Sequence, residues 1–96
     1  MILTNINELM LYSKISKSAL FKEERFQMIL LNLPEGEELK PHLSKTDACC
    51  VVQKGEAEFI LEGISELLHK GDVFTFKAGQ VHVVKAITNF SMLIIK

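Results

Sequence analysis

The sequence predicts an all-β protein, a sandwich or barrel of eight or nine short strands with a short N-terminal arm. Short runs of β-favouring residues recur at intervals of about 8–12 residues. Turn signals, most of them containing glycine, separate these runs, and no long segment has the periodicity of a helix. A chain of 96 residues is long enough for one domain only.

Residues 1–14 form the expected arm, and residues 15–96 the expected barrel. The spacing of the apolar residues in the arm is closer to that of a helix than to the alternation of a strand. These residues are Ile2, Leu3, Ile6, Leu9 and Met10. We therefore expect a short helix or an irregular segment before the first strand.

Nine β-favouring runs follow the arm. They are Ile15–Phe21, Phe26–Leu33, Leu39–Leu43, Ala48–Gln53, Ala57–Leu61, Ile64–Leu68, Val73–Phe76, Val81–Ile87 and Phe90–Ile95. The turn signals between them contain Gly36, Gly55, Gly63, Gly71 and Gly79, and Thr88-Asn89 precedes the last run. Glycine adopts the positive φ of tight turns without steric cost.

The charge pattern, the length of the apolar stretch and the cysteine content argue against nucleic-acid binding, a membrane span and an oxidising compartment. Eleven Lys and Arg residues are interspersed with 12 Asp and Glu residues, so no basic stripe exists that would bind nucleic acid. The apolar stretch 1–12 is too short to span a bilayer. Cys49 and Cys50 are adjacent and poorly placed to form a disulfide, which fits a reducing, cytoplasmic location.

The apolar content predicts a homodimer. Hydrophobic residues make up 48% of a short chain, and the mean hydropathy is +0.21. Monomeric proteins rarely expose large apolar patches. We therefore expect residues Ile2–Leu11 to lie across a partner subunit, with edge strands exchanged between the two copies.

The spacing of glycine and histidine identifies a family. His42 follows Gly36 after five intervening residues, and Gly55 ends the same segment. Further along, Gly79 and His82 follow Gly71 at fixed offsets. Together these residues resemble the two halves of the cupin signature, over about residues 26–96. The resemblance implies a cupin-type jelly-roll barrel, also called a double-stranded β-helix.

The resemblance also implies a site at the barrel mouth. Many cupins hold a metal with three histidines and one glutamate; His42 matches the first histidine and His82 the third. Ser44 stands in place of the second histidine and Ala48 in place of the glutamate. We therefore expect His42, His82, Ser44 and Cys50 to bind a ligand. We expect no stoichiometric metal, and at most a weakly bound divalent ion on His42 and His82.

Two neighbouring residues could still complete a metal site. Strand alternation directs Cys50 inwards, and a His₂Cys set suits zinc or copper. Asp47 could supply a carboxylate if the strand register shifted by one residue. A buried free cysteine is more often a small hydrophobe, and an aspartate in a polar loop is more often a solvated turn residue.

The sequence is compatible with three functions, and it does not determine whether the chain is an enzyme. The first is a cupin that binds a small molecule in the barrel mouth without a full metal cage. The second is a metal-dependent enzyme, of dioxygenase or isomerase type, that uses His42 and His82 with a nonstandard third ligand. The third is a structural dimer with a filled barrel. Phe59, Phe74 and Phe76 are interpreted as core residues.

Overall fold

The computed structural model describes residues 1–96 and contains nine β-strands and one short 3₁₀ helix. The strands are β1 (Ser16–Lys22), β2 (Gln27–Leu33), β3 (Glu38–His42), β4 (Ala48–Lys54), β5 (Ala57–Leu61), β6 (Ile64–Leu68), β7 (Val73–Phe76), β8 (His82–Ala86) and β9 (Phe90–Ile95). They form a five-stranded sheet, β1-β2-β9-β4-β7, and a four-stranded sheet, β3-β8-β5-β6. All neighbouring strands are antiparallel. The predicted all-β jelly-roll class is confirmed.

The strand positions follow the sequence prediction closely. Strands β5, β6, β7 and β9 have the predicted bounds, and the others differ by one residue at one or both ends. The agreement has a physical cause, because glycines with positive φ break the chain between most neighbouring strands.

The N-terminal arm contains a single 3₁₀ turn at Ile6–Glu8, and the side chain of Asn5 caps it by accepting a hydrogen bond from the backbone N–H of Asn7. No helix in the chain combines the length and the apolar character that crossing a membrane requires. The arm is otherwise irregular, which matches one of the two forms expected from its sequence.

A buried polar network ties the second half of the arm to the outer face of the five-stranded sheet. The amide nitrogen of Asn32 donates to the carbonyl oxygen of Leu9 at 2.7 Å. The Ser91 hydroxyl donates to the Asn32 side-chain oxygen at 2.6 Å, and the Tyr12 hydroxyl bonds to Ser91 at 2.5 Å. Leu9 and Tyr12 therefore contact their own sheet, although we expected residues 2–11 to lie on a partner.

The core lies between the inner faces of the two sheets. Strand β4 shows the alternation most clearly, because Ala48, Cys50 and Val52 are buried while Cys49 and Val51 are half-buried on the outer face. This is the predicted orientation of that strand. The buried cluster consists of Leu31, Leu33, Ala48, Cys50, Val52, Ala57, Phe59, Leu68, Phe76, Val84, Ala86, Phe90, Met92 and Ile94.

Gly55, between β4 and β5, is the glycine on which the packing depends most. Its φ is +80°, and a Cβ at this position would lie 2.0 Å from the carbonyl oxygen of Asn89. The turn before β9 therefore passes directly over Gly55. Gly63 has nearly the same φ, +82°, but no atom lies within 4 Å of the Cβ that it lacks.

The two glycines provide a matched test of this close approach. Gly63→Ala should cost about 1–2 kcal/mol of unfolding free energy, from left-handed backbone strain alone. Gly55→Ala should cost about 1–3 kcal/mol more, because the added methyl group overlaps Asn89. Urea unfolding of both variants measures the difference. Equal losses would contradict the close contact between the two turns.

Candidate functional site

His42 and His82 lie opposite each other on the neighbouring strands β3 and β8. A register irregularity between Leu39 and His42 brings His42, and not Pro41, opposite His82. Proline has no N–H to donate to the strand ladder, and it is typical of such bulges. The two imidazole centroids are 4.1 Å apart, with an angle of 63° between the ring planes.

Backbone carbonyls determine the tautomers of both histidines. The Nδ1 atom of His42 is 2.9 Å from the carbonyl oxygen of Lys40, and that of His82 is 3.1 Å from the carbonyl oxygen of Gln80. A carbonyl oxygen can only accept a hydrogen bond, so each Nδ1 carries the proton and donates it. In the neutral rings each Nε2 is therefore an acceptor, and neither Nε2 has a partner in the protein.

The two rings differ in burial. His42 is half-buried, whereas His82 is 3% exposed and stacks on Phe76 with the ring centroids 4.2 Å apart. No buried side-chain nitrogen or oxygen lacks a partner, so the free Nε2 of His82 reaches the surface. Burial lowers the pKa of His82 below its ordinary value of 6.5, and a positive charge on His42 would lower it further. The hydrogen bond to Gln80 partly opposes both effects.

By the motif resemblance, Ser44 and Ala48 stand at the positions that histidine and glutamate hold in metal-binding cupins. The Ser44 hydroxyl accepts a hydrogen bond from the backbone N–H of Thr46 at 3.2 Å and makes no hydrogen bond to either histidine. Ala48 is buried opposite Phe76 in the register of β4 and β7. Phe76 also stacks on His82, and neither the Ala48 methyl group nor the Phe76 ring can ligate a metal.

Neither of the two candidate additional ligands joins the histidines. Cys50 is completely buried in the core, and burial raises the pKa of its thiol to about 12, so the thiol stays protonated at neutral pH. Asp47 lies in an exposed loop, where it accepts a hydrogen bond from the N–H of Ala78 and is 3.6 Å from the Lys77 ammonium. No group of three or more His, Cys, Asp or Glu side chains is positioned to hold a metal ion.

The donor set does not fit the metal cage of the family. Tight divalent sites offer three or four protein ligands, and this chain offers two imidazole nitrogens. Its other cage positions carry a hydroxyl engaged in a local turn and a methyl group.

The third histidine, His69, plays no part in this arrangement. Its side chain is 56% exposed at the turn before β7, within 4 Å of the carboxylates of Glu56 and Asp72. His69 is therefore a surface residue with acidic neighbours.

A cavity of about 140 Å³ opens between the edge strands β6 and β7, away from the histidines. Its lining consists of Phe59, Leu61, Ile64, Glu66, Leu68, Phe74 and Thr75. Phe74, interpreted from the sequence as a core residue, is only half-buried here. Neither His42 nor His82 lines any of the three cavities of the chain.

One sequence signal could have pointed to this cavity. One face of β6 carries Ile64, Glu66 and Leu68. The carboxylate of Glu66 is therefore on the same face of the strand as the buried side chain of Leu68. A charge at an inward position marks either an edge strand or a site. Which strands are edges follows from the topology of the sheets, and local sequence patterns do not contain it.

Comparison with known proteins identifies the family. The family model described as "Cupin domain" matches residues 29–96, which is more than half of the chain. No curated protein has a significantly similar sequence.

Solved structures show the same fold. A cupin 2 conserved barrel domain protein from Leptotrichia buccalis is 29% identical, with a TM-score of 0.86 over 96% of this chain and 46% of its own. A protein from Thermus thermophilus is 24% identical, with a TM-score of 0.86 over 99% of this chain and 95% of its own. A conserved protein of unknown function from Streptococcus pyogenes is 20% identical, with a TM-score of 0.86 over 98% of this chain and 84% of its own.

The motif offsets, the two-sheet topology and the family match agree with one another. The chain belongs to the cupin family.

Proposed function

We propose that this cupin binds a small molecule with hydroxyl or amine donors at the His42–His82 pair, without a full metal cage. The observation that carries the proposal is the fixed tautomer of both rings. Each Nδ1 donates to a backbone carbonyl, so two free Nε2 acceptors remain on adjacent strands. Two acceptors side by side match a ligand that presents two donors.

The surroundings of the pair support binding. Phe76 stacks on His82 and holds that ring in one orientation, so little side-chain entropy is lost when a ligand binds. The lowered pKa of His82 keeps its ring neutral near pH 7, which preserves Nε2 as an acceptor. The half-buried His42 gives the ligand access from solvent.

The direct test compares untagged wild-type protein with the double variant His42→Ala/His82→Ala. We expect well under one metal ion per subunit in both by elemental analysis. We also expect Nε2 resonances of the wild type to shift when small polyols or amino alcohols are added, and no amide shifts near residues 42 and 82 in the variant. One metal per subunit in the wild type and none in the variant would instead support the metal-dependent enzyme.

Stability should depend on the protonation of His82. Because its pKa in the folded protein lies below 6.5, the unfolded chain takes up the proton first as the pH falls. The unfolding free energy should therefore decrease as the pH is lowered from about 7.5 through 6.5, and the decrease should end below the folded pKa. His82→Asn should flatten this dependence, measured by urea unfolding at several pH values. An unchanged slope in His82→Asn would refute the assignment.

We also propose that the chain forms a homodimer through the N-terminal arm and the outer face of the five-stranded sheet. Ile2 is 89% exposed and Leu3 67% exposed, beyond the part of the arm held by the polar network. The adjoining sheet face carries half-buried or exposed apolar side chains, namely Met28, Cys49, Val51, Val73, Leu93 and Ile95. A second copy would remove both apolar surfaces from water.

Light scattering at micromolar concentration tests the dimer. The wild type should have twice the mass of the 10.9 kDa chain, and the double variant Ile2→Asp/Leu3→Asp should have the mass of one chain. Leu67→Asp is the matched control, because Leu67 is an exposed apolar residue on the other sheet. A monomeric wild type, or a control that also dissociates, would rule out this interface.

A further inference from the structure

The cavity between β6 and β7, called here the edge cavity, has the size and lining of a binding site. Its volume of about 140 Å³ is close to that of a cavity that holds one benzene molecule, about 150 Å³. Two of its walls are the rings of Phe59 and Phe74, which come from different sheets and have centroids 4.8 Å apart. Leu61 and Leu68 complete the apolar interior.

Glu66 is the only charged side chain in the lining. It makes no hydrogen bond or ion pair within the chain, whereas the nearby Glu58 accepts a hydrogen bond from Ser65 and Glu62 accepts one from the N–H of Val81. Its position opposite Phe59 in the β5–β6 register places it on the inner face of β6. An apolar interior therefore adjoins one free carboxylate that is open to solvent.

We propose that the edge cavity binds a small organic cation, with an apolar group about the size of one ring against the side chains of Phe59 and Phe74 and an ammonium group at Glu66. The negative charge of Glu66 favours a cation over an anion. Two of the lining residues are aromatic, and the face of an aromatic ring attracts positive charge through its quadrupole. The Thr75 segment of β7, an edge strand, supplies further polar groups at the rim.

This site is separate from the one in the proposed function. None of its lining residues is a histidine, although Phe59 lies between the two sites, with its ring centroid 6.1 Å from that of His82. The two proposals can therefore fail independently. The double variant His42→Ala/His82→Ala should lose the histidine site and keep the edge cavity.

Three probes of equal size test the charge preference: benzylamine, benzyl alcohol and benzoate, each titrated into the full chain and followed by amide NMR. Benzylamine should bind most tightly and shift the amides of residues 59, 66 and 74. Glu66→Gln should weaken benzylamine binding about fivefold, as expected for an exposed charge pair, and leave benzyl alcohol unchanged. Glu58→Gln, with the same charge change on the outer face of β5, should leave benzylamine binding unchanged.

Phe74→Leu tests the apolar part of the site. It should weaken both benzylamine and benzyl alcohol, and a thermal melt establishes that the variant is folded. Benzoate binding as tightly as benzylamine, equal benzylamine affinity in Glu66→Gln and wild type, or amide shifts confined to other regions would each overturn the proposal. If the histidine double variant lost benzylamine binding, the independence of the two sites would also be refuted.

Discussion

The contact between the inner faces of the two sheets determines where every other group in this protein lies. Side chains alternate between the two faces of each strand, so all the side chains on one face are buried or exposed together. In β8 the inward set is His82, Val84 and Ala86, all buried. Packing Val84 and Ala86 between the sheets thus carries His82 to the inner edge of the barrel. His42 lies beside it only because the bulge around Pro41 shifts the register of β3 by one residue, which brings His42 opposite His82.

Much of this arrangement could be predicted from the sequence, because its determinants are local. Glycine turns and β-favouring runs located all nine strands, and motif offsets paired His42 with His82. Alternation also gave the correct inward direction for Cys50, and Phe74 was expected in the core. It could not tell that Cys50 lies in the middle of the core, or that Phe74 lies on a strand at the edge of its sheet. Depth and edges depend on strand order, which arises from pairings distant in sequence.

The residues around His82 explain how a cupin barrel can change its chemistry without changing its fold. Ala48 and Phe76 face each other across β4 and β7, and the Phe76 ring stacks on His82. Ala48 stands where the motif has a glutamate ligand, and the Phe76 ring packs beside it with no atom that could ligate a metal. Both imidazoles remain, each with its Nδ1 bonded to a backbone carbonyl and its Nε2 free of protein partners. The core therefore gains apolar contacts from Ala48 and Phe76, while His42 and His82 keep the barrel mouth polar.

The position of β9 has a consequence for how the protein is made. The last strand of the domain is the middle strand of the five-stranded sheet, between β2 and β4. Phe90, Met92 and Ile94 also supply part of the core. During synthesis on the ribosome, β2 and β4 therefore emerge long before the strand that joins them, and they expose two unpaired edges in the interval. The five-stranded sheet therefore cannot be completed from the N-terminus onwards, and these two edges stay open to pairing with other chains until β9 is available.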